Sequence, residues 1–220
     1  VNYSSTGDKT ARLILVDNEG CSDTAEYDVF IKAHPKTTIT VNDSIQCFNT
    51  QDFDFNHSTN WATSSSNGRK YSWTFPTQSS VSSSTSSSVN NVDFTSTGKY
   101  TVALIVSDAN SCKDTFSIAG IEVQAIPVAK IIVDTSEMCL RGNLHTVSSE
   151  NNHSAYSWTF PSGSSLSNSA TDKSNDVVFS STGKKLVQLI AGNSSGCYDT
   201  TSVEIEVLQH PSASFSINQN

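Results

Sequence analysis

Three things are scarce in this sequence: charged residues, methionine and long apolar runs. Charged residues make up 15% of the 220 residues, and there is a single methionine. Soluble domains usually contain about a quarter charged residues, and here Ser, Thr and Asn, which favour strands and turns, take their place. The composition disfavours long helices, and no apolar run approaches the roughly 18 residues of a membrane-spanning helix. We therefore expect an all-β protein with no membrane span in this segment.

Positive charge is scarce as well. Lys and Arg number 13 against 21 Asp and Glu, which gives a net charge of −8. Nucleic acids and anionic membrane surfaces both attract basic patches, so neither is an expected partner. Five cysteines in so polar a chain favour an oxidising, extracellular compartment and a secreted protein.

The sequence contains an internal repeat. The hexapeptide YSWTFP occurs at Tyr71–Pro76 and again at Tyr156–Pro161, an offset of 85 residues. Cys112 and Cys197 have the same offset, and the residues before each cysteine match closely. The start of the chain, up to Cys21, is a third copy of that cysteine segment. Such self-similarity indicates a serially duplicated domain.

The repeat divides the chain into two whole units, residues 36–127 and 128–211. Residues 1–35 match the C-terminal part of a unit, and residues 212–220 match the first strand of a following one. Because Val1 then opens in mid-strand, we expect no signal peptide in this slice of a longer array. Units of 92 and 84 residues are too long for solenoid repeats and fit tandem β-sandwich domains in an elongated array.

Apolar and polar side chains alternate along each unit, which indicates strands with one buried face. The aromatic residues of the duplicated hexapeptide share such a face. We interpret them as the core of a central strand, because a buried Trp occupies that place in immunoglobulin-type sandwiches. They are Tyr71, Trp73 and Phe75 in one unit, and Tyr156, Trp158 and Phe160 in the other.

The hairpin that closes each unit has the same alternation, so Leu13 and Tyr27 are expected to face inward in the first copy. The middle unit has one extra residue in its last strand, and we predict a β-bulge at Ala119-Gly120. The serine-rich stretch 77–88, between two predicted strands, is expected to form a solvated edge strand or loop.

The pattern of Tyr-x-Trp-x-Phe at Tyr71–Phe75, TGKYTVALIV at Thr97–Val106 and SDANSCKDT at Ser107–Thr115 resembles PKD (polycystic kidney disease) domains. It is most similar to the tandem PKD-like repeats of large cell-surface adhesins of Bacteroidetes. One departure is that both copies read Trp-Thr-Phe-Pro where the family usually has Trp-Asp-Phe-Gly-Asp-Gly. A role tied to that acidic turn is therefore not carried over.

The resemblance implies tandem immunoglobulin-like sandwiches that serve as spacers or adhesive modules. Proteins of this kind take part in gliding motility or attachment and are exported by type IX secretion. It also implies O-glycosylation at Asp-Ser/Thr-aliphatic signals, which here makes Thr24 and Ser44 candidates. The alternative for both residues is a hydroxyl that stabilises a turn.

The five cysteines are regularly placed. Cys47 and Cys139 follow the first strand of a unit, whereas Cys21, Cys112 and Cys197 lie in the last hairpin. In an immunoglobulin-like unit these two places lie roughly 25 Å apart along the strands, too far for a disulfide. We predict that Cys47 pairs with Cys197 between domains, and that the other three pair outside this segment. The rival is pairing within each unit, Cys47 with Cys112 and Cys139 with Cys197.

Carboxylates flank two of the cysteine turns, Asp17 and Asp23 around one and Asp108 and Asp114 around the other. Such residues could help to hold Ca²⁺, which takes six to eight oxygen ligands. The third turn has Asn193 instead of Asp, and Asp and Asn also stabilise turns by accepting backbone amides. A weak calcium site and a turn cap both remain open, and no other cofactor is expected.

One segment, Gly192–Gly196, has the letters of the G-x-S-x-G nucleophile elbow. That motif requires a following helix, whereas a strand pattern follows here, so we predict a hairpin turn. No histidine has metal-ligand spacing. His145 aligns near the inward-facing Phe53, although the register there is ambiguous, and a half-buried structural histidine is expected. We therefore expect no catalysis in this segment.

Three functions fit these expectations. The first is a stalk, filament or adhesin whose partners are neighbouring repeats, other stalks, glycans or surfaces. The second is a spacer attached to a secreted hydrolase. The third is glycan binding, for which Trp61 is the one tryptophan outside the repeated strand and hence the candidate stacking platform.

Overall fold

The computed structural model describes residues 1–62, 66–140, 144–166 and 173–217. All the regular secondary structure within these residues is β-strand. The fold is all-β and consists of tandem immunoglobulin-like β-sandwiches. The described residues contain no helix of the length and apolarity needed to cross a membrane. The chain separates into two compact units, Val1–Gln46 with Thr50–Val123, and Cys47–Asn49 with Gln124–Asn220.

The first of these compact units, which also includes the partial repeat 1–35, begins with a two-stranded antiparallel hairpin, β1 (Gly7–Val16) and β2 (Ser22–Ile31). Among the described strands, these two pair only with each other. The prediction that Leu13 and Tyr27 face a core is wrong for this hairpin, since they are 57% and 74% exposed. The reason is that no second sheet among the described strands covers them, whereas Leu189, the counterpart of Leu13 in the second unit, is fully buried.

The first sandwich is formed by two sheets, with strand orders β3-β5-β8 and β4-β10-β9-β6-β7. Its strands are β3 (Lys36–Val41), β4 (Ile45–Cys47), β5 (Phe53–Asn60), β6 (Lys70–Thr74), β7 (Ser83–Ser84), β8 (Val89–Val92), β9 (Gly98–Ser107) and β10 (Lys113–Gln124).

The second sandwich repeats this arrangement with strand orders β11-β13-β15 and β12-β17-β16-β14. Its strands are β11 (Ile131–Val133), β12 (Glu137–Cys139), β13 (His145–Ser149), β14 (Ala155–Thr159), β15 (Ser174–Val177), β16 (Gly183–Gly192) and β17 (Tyr198–Leu208). Only β7 has no counterpart among the strands of the described residues. It is a short strand at the edge of its sheet, as the serine-rich composition of stretch 77–88 predicts.

The core of the first sandwich is centred on Trp73, which is fully buried. Its ring centroid lies 6.4 Å from that of Phe55 and 6.2 Å from that of Phe75. The indole Nε1 donates a 2.9 Å hydrogen bond to the carbonyl of Ser86. The indole therefore has apolar contacts on the ring and a partner for its one polar atom, which is what a buried Trp requires.

Trp158 occupies the same place in the second sandwich and is also fully buried, with Phe160 beside it at 6.2 Å. Residues of both sheets surround it, including Val147 and Val177 from one and Leu189 from the other. Tyr71 and Tyr156 are half-buried at the ends of the aromatic stripes. The duplicated hexapeptide thus lies in the two cores, with its Trp and Phe inside and its Tyr at the margin.

The predicted bulge is present in β10. The pairing of β10 with β9 shifts between Ala119 and Ile121, and Gly120 has a φ of +84°. Glycine adopts this left-handed conformation without the steric cost that a side chain would add. The extra residue of the middle unit is therefore absorbed at one point, and the inward alternation resumes at the fully buried Ile121.

The structure shows no strand in residues 212–217, the described part of the segment that was predicted to open a further unit. Residues 218–220 lie outside the described residues. Its counterpart β3 is a strand because it pairs with β5. No described strand pairs with residues 212–217, so their backbone lacks the partner that a strand needs.

His145 takes the core position that Phe53 has in the first unit, which resolves its register: Phe53 pairs with Val92, and His145 with the equivalent Val177. The imidazole is fully buried and not half-buried as expected, and its Nδ1 lies 3.1 Å from Asp134 Oδ1. Desolvation raises the pKa of Asp134, but hydrogen bonds from the Thr146 amide, from His145 and from another amide outweigh it, so this pKa is lowered overall. The other ring nitrogen, Nε2, is buried without a hydrogen-bond partner.

We expect the substitution His145→Phe to stabilise the second unit by about 1–2 kcal/mol, because an unpaired buried polar atom costs about this much. The reciprocal change Phe53→His should destabilise the first unit, since it introduces such an atom into an aromatic core. Urea unfolding of the two variants, monitored by circular dichroism, measures both effects. Equal losses of stability in both variants would show that Nε2 is not the cause.

Candidate cross-linking site

One disulfide connects distant parts of the chain. The structure joins Cys47 and Cys197 with an S–S distance of 2.08 Å and a Cα–Cα distance of 5.6 Å, across a sequence separation of 150 residues. This is the pair that the sequence predicts. Cys197 is 1% exposed, and Cys47 is half-buried at the end of β4. The segment Cys47–Asn49 groups with the second unit, to which Cys197 also belongs.

A capped turn positions Cys197 between β16 and β17. The side-chain Oδ1 of Asn193 accepts the backbone amides of Ser195 and Cys197, both at 3.0 Å. Gly196 supplies the left-handed conformation that the turn requires, with φ at +80°. The turn of Gly192–Gly196 is thus a hairpin connection, as predicted, and it holds the cysteine at the start of β17.

The same turn recurs at the two other hairpin cysteines. Asp108 Oδ1 accepts the amides of Asn110 and Cys112, at 2.9 and 3.0 Å. Asp17 Oδ1 accepts the amide of Cys21 at 2.8 Å. The turn cap was one of two interpretations that the sequence left open, and the common signal is an Asp or Asn four residues before each of the three cysteines.

A short strand positions Cys47, and its counterpart β12 positions Cys139 in the same way. The amide of Phe48 donates to the carbonyl of Gln124, and the amide of Leu140 donates to the carbonyl of Leu208, both at 2.9 Å. Before each cysteine, a serine carbonyl accepts a glutamate amide of the last strand, at 2.7 and 2.8 Å. Cys139 is exposed and forms no disulfide.

The strand register excludes the rival pairing within a unit. Cys139 pairs with Leu208 at the end of β17, whereas Cys197 directly precedes the start of that strand. Eleven residues at about 3.3 Å each place these cysteines roughly 36 Å apart. A disulfide needs Cα atoms within about 7 Å. Cys47 and Cys112 are separated in the same way. Cys112 directly precedes β10, whereas the amide of Phe48, next to Cys47, donates to the carbonyl of Gln124 at the other end of that strand.

The four calcium candidates are engaged with the backbone. Asp17 and Asp108 cap the cysteine turns, Asp23 Oδ1 accepts the amide of Thr24, and Asp114 Oδ2 accepts the amide of Thr37 at 2.7 Å. In the described part of the chain, no group of three or more His, Cys, Asp or Glu side chains could hold a metal ion. These contacts agree with the turn-cap interpretation, in which amides take the place of a cation.

Asp108 is 3% exposed, and its second oxygen, Oδ2, is buried without a hydrogen-bond partner. The equivalent Asn193 uses its amide nitrogen there, which donates to the carbonyl of Ala125 at 2.9 Å. A buried carboxylate oxygen without a hydrogen-bond donor destabilises the folded state, whereas an amide nitrogen at this position can donate to a carbonyl.

We expect the substitution Asp108→Asn to raise the stability of the first unit by about 1 kcal/mol or more, because it removes an unpaired buried carboxylate oxygen and keeps the cap. The control is Asp17→Asn, at a turn that is exposed, where we expect little change. Thermal unfolding of the two variants provides the measurement. A loss of stability in Asp108→Asn would mean that the carboxylate has a partner or a bound cation.

The remaining candidate residues lie on the surface or at its margin. Thr24, on β2, and Ser44, before β4, are exposed. Trp61 is half-buried, with the guanidinium of Arg69 4.6 Å above its ring and the ring of Tyr71 6.0 Å away, edge-on. The pKa of His57, which packs on Tyr71, is lowered by burial and by the charge of Arg69. One face of Trp61 is therefore already taken by Arg69.

Comparison with known families matches residues 125–207 to the PKD-like domain. This range covers all but the last strand residue of the second sandwich, which is an immunoglobulin-like domain of PKD type. The comparison with curated proteins found no match. Domains of this class are typical of extracellular adhesion and spacer modules and are generally non-catalytic.

Several solved structures are similar in fold. The fibronectin(III)-like modules of CbhA from Clostridium thermocellum are 14% identical with a TM-score of 0.37, covering 81% of this chain and all of that one. Three N-terminal domains of the bacteriophage RB49 outer capsid protein Hoc are 15% identical with a TM-score of 0.42, covering 90% and 78%. A C-terminal fragment of intimin in complex with its receptor's binding domain is 13% identical with a TM-score of 0.47, covering 80% and 64%. None of the three is close enough to identify a function.

Proposed function

We propose that this chain is a non-catalytic repeat segment of an extracellular stalk, filament or adhesin, which gives reach and mechanical stability for attachment to surfaces or for gliding. Its units follow the boundaries 1–35, 36–127, 128–211 and 212–220. The PKD-type second domain and the copied core of the first support a serial array of spacers. The proposal places the segment at the cell surface and leaves specific binding to other parts of the protein.

The observation that carries this proposal is the Cys47–Cys197 disulfide. It closes a loop of 150 residues that includes most of both complete units. A disulfide across a loop of this length stabilises by about 5 kcal/mol in the chain-entropy description. A spacer that must bear tension gains from such a bond, because the bond remains when the non-covalent contacts yield. We propose that it cross-links consecutive repeats.

The test is made on the cells that produce the protein. Antibodies against this segment should label fibres or the outer face of unpermeabilised cells by immunogold microscopy. Cells that carry Cys47→Ser should detach at lower shear than wild-type cells. Labelling confined to the cell interior, or equal detachment in the Cys47→Ser and wild-type cells, would contradict the proposal.

The alternative is a spacer, or a set of glycan-binding repeats, attached to a secreted hydrolase. The half-exposed Trp61 with Arg69 and Tyr71 is the feature that favours glycan contact, because sugars stack on exposed aromatic rings. Glycan-array binding that is lost in Trp61→Ala but kept in Phe30→Ala, another exposed aromatic residue, would support it. Binding that survives Trp61→Ala would eliminate that version.

A further inference from the structure

We propose that Cys112 and Cys139 are halves of the same type of cross-link as Cys47–Cys197. Each repeat of an array would then be bonded to the next, from the cysteine of the short strand to the turn cysteine of the following repeat. This inference rests on the proposed function, and it names the partner of each thiol that is free in the structure.

Both kinds of cysteine lie in the same local structure in each copy. Cys139 has the strand environment of the bonded Cys47, with equivalent backbone hydrogen bonds on both sides. Cys112 and Cys21 have the capped turn of the bonded Cys197, in which the residue four positions earlier exchanges two hydrogen bonds with the cysteine backbone. The turn and strand that present the bonded pair are therefore already formed at the free cysteines.

The observed disulfide also sets the direction of pairing along the chain. The observed bond links the strand cysteine of residues 36–127 to the turn cysteine of residues 128–211, the next repeat along the chain. The same rule gives Cys139 a turn cysteine in the repeat that follows it. It gives Cys112 a strand cysteine in the repeat that precedes its own. It gives Cys21 a strand cysteine in the repeat before that one. Within the chain, none of the three has a cysteine of the other type in the repeat that this rule requires, and Cys21 and Cys139 are exposed.

Each cross-link forms by a two-electron oxidation of two thiols. Two thiols form one disulfide with the loss of two protons and two electrons, which a low-molecular-weight or protein disulfide accepts as it is reduced to two thiols. The sequence around the turn cysteines predicts the partner peptide. All three read Cys-x-Asp-Thr, with Ser, Lys or Tyr at the second position. The partner of Cys139 should therefore be a cysteine in a Cys-x-Asp-Thr segment.

The consequence is a set of overlapping loops. The observed loop runs from residue 47 to residue 197, and the next would begin at residue 139, so residues 139–197 lie inside both. Every peptide bond of a continuous array would then lie within at least one loop. Cleavage of any one peptide bond would leave the array a single covalent molecule, which is useful for a fibre exposed to proteases.

The test uses the full chain with its residues 36–211 repeated once, inserted between Pro211 and Ser212. The protein is produced under oxidising conditions, its free thiols are blocked, and it is digested without reduction for mass-spectrometric peptide mapping. We expect Cys47–Cys197 in each copy, and Cys139 of the first copy linked to Cys112 of the second. The matched control changes only the second Cys112 to Ser, which should leave the first Cys139 open to alkylation.

The outcomes separate the two proposals. If Cys47–Cys197 forms while Cys139 and Cys112 are both alkylated, or if Cys139 links two molecules, this inference is wrong and the proposed function stands. If Cys47–Cys197 is also absent, both are wrong. Should the extended protein fail to fold, the same mapping on the protein from its natural source decides. A Cys139 peptide linked to a Cys-x-Asp-Thr peptide from outside residues 1–220 supports the inference, whereas an alkylated Cys139, or one linked to Cys21, Cys112 or Cys197, overturns it.

Discussion

Pulled from its two ends, the oxidised chain should lengthen on complete unfolding by about 500 Å less than the reduced chain. The Cys47–Cys197 bond bypasses 150 residues, and each residue contributes about 3.3–3.6 Å when fully extended. Tension applied at the termini passes through the disulfide, so the enclosed strands do not carry it. This difference is the largest effect that the structure predicts, and it is the mechanical property that a tethering segment would use.

Single-molecule force spectroscopy with and without reductant measures this hidden length. The variant Cys47→Ser should give the full extension even under oxidising conditions. The matched control Cys112→Ser should behave as the wild type does, since Cys112 forms no disulfide within the chain. Equal extension of the wild type in both conditions would mean that the bond does not form in solution.

The second large effect is expected from Trp73→Ala, which should destabilise the first unit by about 3–5 kcal/mol. The substitution removes a fully buried indole, its ring contacts with Phe55 and Phe75, and the donor to the Ser86 carbonyl. Such a loss is a large share of the stability of a single domain. Guanidinium unfolding monitored by circular dichroism measures it.

Trp61→Ala is the matched control for this prediction, because it removes the same side chain from a half-exposed position in the same unit. Its cost should be well below that of Trp73→Ala, about 1 kcal/mol for the lost contact with Arg69 and Tyr71. If both variants lose the same stability, the repeated indole is not the centre of the core.

Much of the fold follows from the sequence because the repeat presents the same pattern more than once. Alternation of apolar and polar residues places Trp73 and Trp158 inward. The single extra residue at Ala119-Gly120 cannot pair within the ladder and therefore predicts a bulge. Strand lengths also constrain the cysteines, since the two ends of a sandwich are farther apart than a disulfide can span. The cross-link between Cys47 and Cys197 could therefore be predicted without coordinates.

Other features depend on partners that the sequence pattern does not name. The apolar face of β1 and β2 has the alternation of a core yet is exposed, because burial requires a second sheet as well as a pattern. His145 could not be assigned from its spacing, since whether it meets Asp134 depends on the register of β13. The pattern left Asp17 and Asp108 open as calcium ligands or turn caps, because a carboxylate four residues before a cysteine can serve either purpose until its hydrogen bonds are seen.

The most direct test of the account is a disulfide map of the unmodified 220-residue chain, folded under oxidising conditions with its free thiols blocked before digestion. The account predicts one linked pair of peptides, containing Cys47 and Cys197, with Cys21, Cys112 and Cys139 alkylated in the monomer. Linkage of Cys47 to Cys112, or of Cys139 to Cys197, would contradict it, because those pairs can meet only if the strands that separate them are not formed as described.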